Sequence, residues 1–123
     1  MKAKLVFVLV VVLSVFVLAG CTQPAPSKES LDAFAKCITD SNAKFYGAFW
    51  CPHCQEQKQL FGSSVEYLPY VECSTPDGKS QLQVCADANI PGYPTWVFAD
   101  GTTASGSQSF DKLSAKTGCK LGN

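Results

Sequence analysis

Two cysteines separated by two residues, Cys51 and Cys54, with Pro52 and His53 between them and Trp50 just before, are the group in this chain best suited to chemistry. Pro52 fits the first position of a helix, where a missing N–H costs nothing, so Cys51 falls at the N-cap and Cys54 one turn inside. Unpaired N–H groups and the helix dipole favour a thiolate there, and can lower a cysteine pKa from about 8.5 to roughly 3.5–7.5. Cys51 is then the nucleophile and Cys54 the resolving thiol. A drop of two units stabilises the thiolate by about 2.7 kcal/mol. Because the thiolate belongs to the reduced form, it makes the disulfide a better oxidant. His53 could add to this effect. The same spacing would serve a structural disulfide or half of a zinc site, but there is no second C-x-x-C and His53 is the sole histidine. Reversible thiol–disulfide exchange is the chemistry this pattern favours.

The flanking segments have to hold that pair in place. Residues 43–50 are nearly continuous in apolar side chains, as in a strand buried on both faces, which would deliver Cys51 to the end of a sheet. Gly62 suits the C-cap of the helix that begins at Cys51. Upstream, Ser27 suits an N-cap, and Leu31, Phe34, Ala35 and Ile38 recur at helical spacing, with Cys37 on the flank of that face. Residues 65–72 read as a second strand whose pairing starts after Pro69, at Tyr70 and Val71, and which Cys73 closes. Residues 74–78 are loop by composition, and 79–89 read as a helix with Leu82, Cys85 and Ala86 on one face. Residues 95–99 form a strand, Asp100-Gly101 has hairpin-turn chemistry, and a returning strand starts at Thr102. Ser109 caps a last helix that turns Phe110 and Leu113 inward and ends at Gly118. The fold class is α/β, a mixed central sheet with helices on both faces, and with C-x-x-C after the first strand this is the thioredoxin pattern.

The 123 residues, 46% hydrophobic and 11% aromatic, hold one small domain. All ten basic residues are lysines, balanced by ten acids, and nothing suggests nucleic-acid binding. The chain opens with Lys2 and Lys4, then an apolar block at 5–19 broken only by Ser14, in a secretory layout. As a helix that block would cover about 22 Å of a roughly 30 Å hydrocarbon core, which favours cleavage over a retained anchor. Leu18-Ala19-Gly20-Cys21 resembles the lipobox of bacterial lipoproteins, in which the signal is cut before the cysteine and the cysteine carries the lipid. The organisation expected is therefore a signal peptide at 1–20, a lipidated Cys21 and tether at 21–27, and a domain at 28–123. The location is extracytoplasmic and membrane-anchored, where six further cysteines are compatible with disulfides.

Four blocks carry a wider resemblance: Phe34-Ala35-Lys36-Cys37; Tyr46-Gly47-Ala48-Phe49-Trp50-Cys51-Pro52-His53-Cys54; Val71-Glu72-Cys73; and Gly92-Tyr93-Pro94-Thr95-Trp96. Together they resemble the thioredoxin-like domain fused to, or partnered with, bacterial homologues of vitamin K epoxide reductase. The resemblance implies a thioredoxin-like fold and an extracytoplasmic oxidoreductase that needs no cofactor of its own. It would act on the thiols of secreted proteins and exchange electrons with a quinone-reducing membrane enzyme. It aligns Pro94 with a cis-proline beside the redox pair, Tyr93 and Pro94 then holding an extended substrate, and it matches Cys73 and Cys85 to a second, structural cysteine pair. In a thioredoxin-like fold the first and last helices lie on opposite faces, which leaves the state of Cys37 and Cys119 open. One departure is Phe45, six residues before Cys51, where thioredoxin carries a buried acid. Without that base the domain is better suited to oxidising clients than to reducing them. The competing readings are a membrane-tethered disulfide reductase and a lipoprotein that binds copper or zinc through Cys51, His53 and Cys54.

Overall fold

The computed structural model describes residues 24–122. The expected signal peptide and lipidated Cys21 lie outside the described residues, and of the expected tether only 24–27 are described, without helix or strand. The elements in chain order are α1 (Lys28–Asp40), β1 (Lys44–Gly47), α2 (Pro52–Phe61), a 3-10 turn (Gly62–Tyr67), β2 (Tyr70–Glu72), α3 (Gln83–Asp87), β3 (Thr95–Val97), β4 (Thr103–Ser105) and α4 (Phe110–Thr117). Serine side-chain caps start two of the helices, Ser27 Oγ accepting from the Ser30 N–H on α1 and Ser109 Oγ from the Lys112 N–H on α4. Gly118, at φ +76°, ends α4 in the left-handed conformation that favours glycine.

The strands form one sheet in the order β2-β1-β3-β4. β1 runs parallel to β2, with Phe45 opposite Tyr70 and Gly47 opposite Glu72, and antiparallel to β3, with Phe45 opposite Trp96. β3 and β4 close the expected hairpin through Asp100-Gly101, Gly101 standing at φ +79° and the Phe98 N–H donating to the Thr102 carbonyl at 2.9 Å. A mixed four-stranded sheet with helices on both faces, and C-x-x-C after its central parallel strand, is a thioredoxin-like fold.

Strand alternation divides the packing. Phe45 and Trp96 stack at 4.8 Å on one face, beneath Phe34, Ala35 and Ile38 of α1, Cys54 and Phe61 of α2, and Leu113 of α4. Tyr46, Val71 and Val97 point to the other face and pack on Cys73, Cys85 and Ile90 around α3. α1 and α4 thus share a face, which corrects the expectation that they lie on opposite ones. Phe110 meets Phe34 and Phe61 edge-on at 5.7 and 5.1 Å. That proximity brings Cys37 and Cys119 together as a disulfide with a Cα separation of 5.8 Å. A second disulfide joins Cys73 to Cys85.

Three segments differ from the sequence reading. β1 stops at Gly47, because the next N–H groups leave the ladder: Phe49 N–H donates to Glu72 Oε1 and Cys51 N–H to the Ala48 carbonyl. Residues 65–67 belong to the 3-10 turn instead of a strand, the Leu68 N–H donating back to Val65. The helix read over 79–89 contracts to Gln83–Asp87 and leaves Ala86 exposed. Gln81 is taken by a bridge to Ser74, and the Leu82 N–H by the Cys73 carbonyl, so the stretch before α3 follows β2 and cannot coil. Among the described residues, no helix is long and apolar enough to cross a membrane.

Candidate active site

β1 ends beneath α2, and the four residues between them, Ala48 to Cys51, turn the chain so that Cys51 caps the helix, with Pro52 in its first turn. The Cys54 N–H donates to Cys51 Sγ at 3.2 Å, the bond that an N-cap side chain ordinarily accepts. Both cysteines are thiols, and the Cys54 thiol donates to Cys51 Sγ at 2.6 Å. The two differ in access, Cys51 keeping 4% of its surface exposed and Cys54 none. Burial first, then the contact with Cys51, pushes the Cys54 thiol up to about 12, against weaker opposing effects from the Ala48 backbone and Lys58. One sulfur thus meets an N–H donor and the positive end of a ten-residue helix, while the other is held protonated behind it.

Aromatic side chains rim the pair. Phe49 and Trp50 are about half exposed, at 46% and 52%. Trp50 is held by its Nε1–H, which donates to Ser74 Oγ at 2.8 Å, and by the Tyr93 ring, edge-on at 6.0 Å. The Tyr93–Pro94 bond is cis and Pro94 is fully buried. Gln81 Nε2 donates to the Tyr93 hydroxyl at 2.9 Å and to the Ile90 carbonyl, so the loop before Pro94 is tied to the one after β2. Trp50, Ser74, Gln81 and Tyr93 line a shallow pocket of about 160 Å³ beside the cysteines. His53 stands on the exposed surface of α2 with its Nδ1 2.8 Å from Glu56 Oε2. Among the described residues, no three His, Cys, Asp or Glu side chains gather as a metal-binding group.

Sequence reasoning missed three contributors. Gln57, fully buried on α2, accepts from Trp96 Nε1–H and the Gln108 N–H through Oε1 and donates from Nε2 to the Gln108 carbonyl, fastening the redox helix to β3 and to the chain before α4. Tyr70 and Glu72 of β2 form a polar pair, the Tyr70 hydroxyl donating to Glu72 Oε2 at 2.8 Å. Glu72 Oε1 accepts from the Phe49 and Ser74 N–H groups at 3.2 and 2.9 Å. The signal for this pair is period-two alternation along β2, which in register with β1 sets Tyr70 and Glu72 on the same face as Phe45 and Gly47. Phe45 itself is buried between Trp96 and Tyr70, so no acid occupies the place that thioredoxin's acid fills.

Fold and site together define a thioredoxin-like domain with a cysteine pair at the start of its redox helix. No protein-family model matches the chain. The chain is 46% identical over 94 residues to the thiol-disulfide oxidoreductase LTO1 of Arabidopsis thaliana, an alignment that takes in 72% of this chain. It spans 24% of the length of that protein.

Proposed function

We propose that this chain is a thiol–disulfide oxidoreductase that works through Cys51 and Cys54 and donates their disulfide to secreted proteins. The observation that carries the reading is the geometry of the pair, with Cys51 Sγ at the helix cap and the Cys54 thiol 2.6 Å behind it. A client thiolate attacks Cys51 Sγ, the bond between the two cysteines breaks, and its electron pair leaves on Cys54. A second attack, by another client thiol on the mixed disulfide, releases the oxidised client. Tyr93 and Pro94 beside Trp50 would hold the extended client segment, whose backbone can pair with the chain before Pro94. Similarity to a protein named as a thiol-disulfide oxidoreductase supports the activity.

Four of the six cysteines after Cys21 are already joined as Cys37–Cys119 and Cys73–Cys85, which favours an oxidising, extracytoplasmic location. The apolar leader and the Leu18-Ala19-Gly20-Cys21 block support lipidation at Cys21, holding the domain at the membrane surface. Reoxidation then falls to a quinone-reducing membrane oxidoreductase, a local search because seven linker residues reach at most about 25 Å. Trapping tests the assignment of roles. Cys54→Ser should accumulate mixed disulfides with clients through Cys51, and Cys51→Ser should accumulate none. Equal trapping by the two variants would refute it.

A further inference from the structure

Whenever Cys54 closes the disulfide it must first lose a proton, and the site gives it no acid at the position of Phe45. The strand beside it supplies one. Gly47 lies in the floor of the site, and the point where a Cβ on it would stand is 3.0 Å from Cys54 Sγ, 2.8 Å from Tyr70 Cε2 and 3.4 Å from the Tyr70 hydroxyl. Cys54 and the Tyr70 hydroxyl therefore flank one glycine, and any side chain there would wedge them apart. From Tyr70 the path continues by the 2.8 Å hydrogen bond to Glu72 Oε2, and Glu72 is partly open to solvent. Lys58 Nζ stands 3.5 Å over the Tyr70 ring, a cation beside the route.

We propose that Tyr70 and Glu72 are the proton path of Cys54, a relay from thiol to phenol to carboxylate that takes the place of a buried acid. The proposal rests on the reading of Cys51 and Cys54 as the exchanging pair. With its O–H directed to Glu72, the Tyr70 oxygen is free to accept. The Cys54 proton passes to that oxygen, directly or across one water, as the Tyr70 proton passes to Glu72 Oε2. The electron pair left on Cys54 Sγ forms the bond to Cys51 Sγ, the bond from Cys51 to the partner sulfur breaks, and the partner leaves as a thiolate. Glu72 then returns the proton to solvent. When a client opens the disulfide, the same path runs backward and delivers a proton to the departing Cys54 thiolate. Burial, the Glu72 acceptor, and charge at Glu72 and at the cysteines raise the Tyr70 phenol above its ordinary value, which suits a concerted relay that never leaves charge on the ring. Glu72 serves a second end, since its other oxygen holds the Phe49 and Ser74 backbone at the rim.

The test isolates the step. A mixed disulfide between Cys51 and thionitrobenzoate is formed on the reduced protein, and release of the coloured thiol by Cys54 is timed across pH for the wild type, Tyr70→Phe and Glu72→Gln. Phe keeps the ring that packs on Phe45 and beneath Lys58, and Gln keeps an acceptor for the two rim N–H groups. Both variants should release about a hundredfold more slowly at neutral pH, and their rates should climb about tenfold per pH unit as hydroxide replaces the relay, while the wild-type profile stays shallow. Iodoacetamide labelling of Cys51 should be unchanged in both. Should Tyr70→Phe fail to fold, Glu72→Gln carries the test alone. Wild-type rates and profile in the variants, or slowing by a constant factor at every pH, would overturn the relay and leave the exchange reading standing. A wild-type protein that never releases the thiol would overturn the exchange reading, and the relay with it.

Discussion

The two sulfurs of the pair lie 2.6 Å apart, yet their surroundings assign them different work. Cys51 meets solvent and the N-terminal end of α2, whereas Cys54 is sealed under the aromatic core, and burial more than any neighbour holds its thiol protonated. The sign follows from the raised value. A thiol near 12 holds only about one part in a hundred thousand as thiolate at pH 7, and that share grows tenfold with each pH unit. In Cys51→Ser, where burial persists, alkylation of Cys54 by a small reagent should therefore still be climbing well above pH 9, about half a unit past the ordinary cysteine value. A plateau reached below that pH would show an ordinary thiol. The N-cap role of Cys51 was legible from Cys51-Pro52 alone, since cap and first-turn proline are local rules. Glu72 was not, because it acts through a register between strands that no single segment carries.

At the scale of elements, the redox helix is fastened by one buried side chain. Gln57 satisfies the Trp96 indole N–H and both backbone groups of Gln108, joining α2 to β3 and to the start of α4. Gln57→Leu should cost about 3 kcal/mol, since it strands two buried donors, and should lower Tm by more than about 10 °C. A shift under a few degrees would show the clamp to be dispensable. The Cys37–Cys119 bond ties α1 to the segment after α4 across 82 residues, and in the chain-entropy model a loop of that length contributes about 4.5 kcal/mol, against about 3 kcal/mol for the 12-residue closure at Cys73–Cys85. Cys37→Ala with Cys119→Ala should thus melt lower than Cys73→Ala with Cys85→Ala; the reverse order would show that native packing, more than loop length, sets these contributions. Helix caps, the hairpin and the amphipathic face of α1 were legible in the sequence because each is a local pattern. The extent of α3 was not, for its apolar spacing continues into residues whose N–H groups are taken by β2. Nor was the common face of α1 and α4, which rests on Phe34, Phe61 and Phe110 meeting across 76 residues of chain.

At the scale of the molecule, the direction of electron flow depends on which redox form the fold favours. A helix end and an N–H donor meet Cys51 Sγ, and where such contacts favour the reduced form of a pair they make its disulfide an oxidant. The half-exposed rim of Phe49 and Trp50 offers apolar contact to an unfolded client, and the proposed tether on Cys21 would keep that encounter near the membrane. In stoichiometric amounts the oxidised protein should then oxidise a reduced, unfolded client, and it should turn over only when a quinone-coupled membrane partner is supplied. The most direct measurement is the equilibrium potential of the Cys51–Cys54 couple, read by titration against glutathione buffers. A value well above about −270 mV, in the range of disulfide donors, is expected. A potential at or below that of thioredoxin would contradict the donor function, because the disulfide would be too stable to hand on and electrons would run from this protein to its clients.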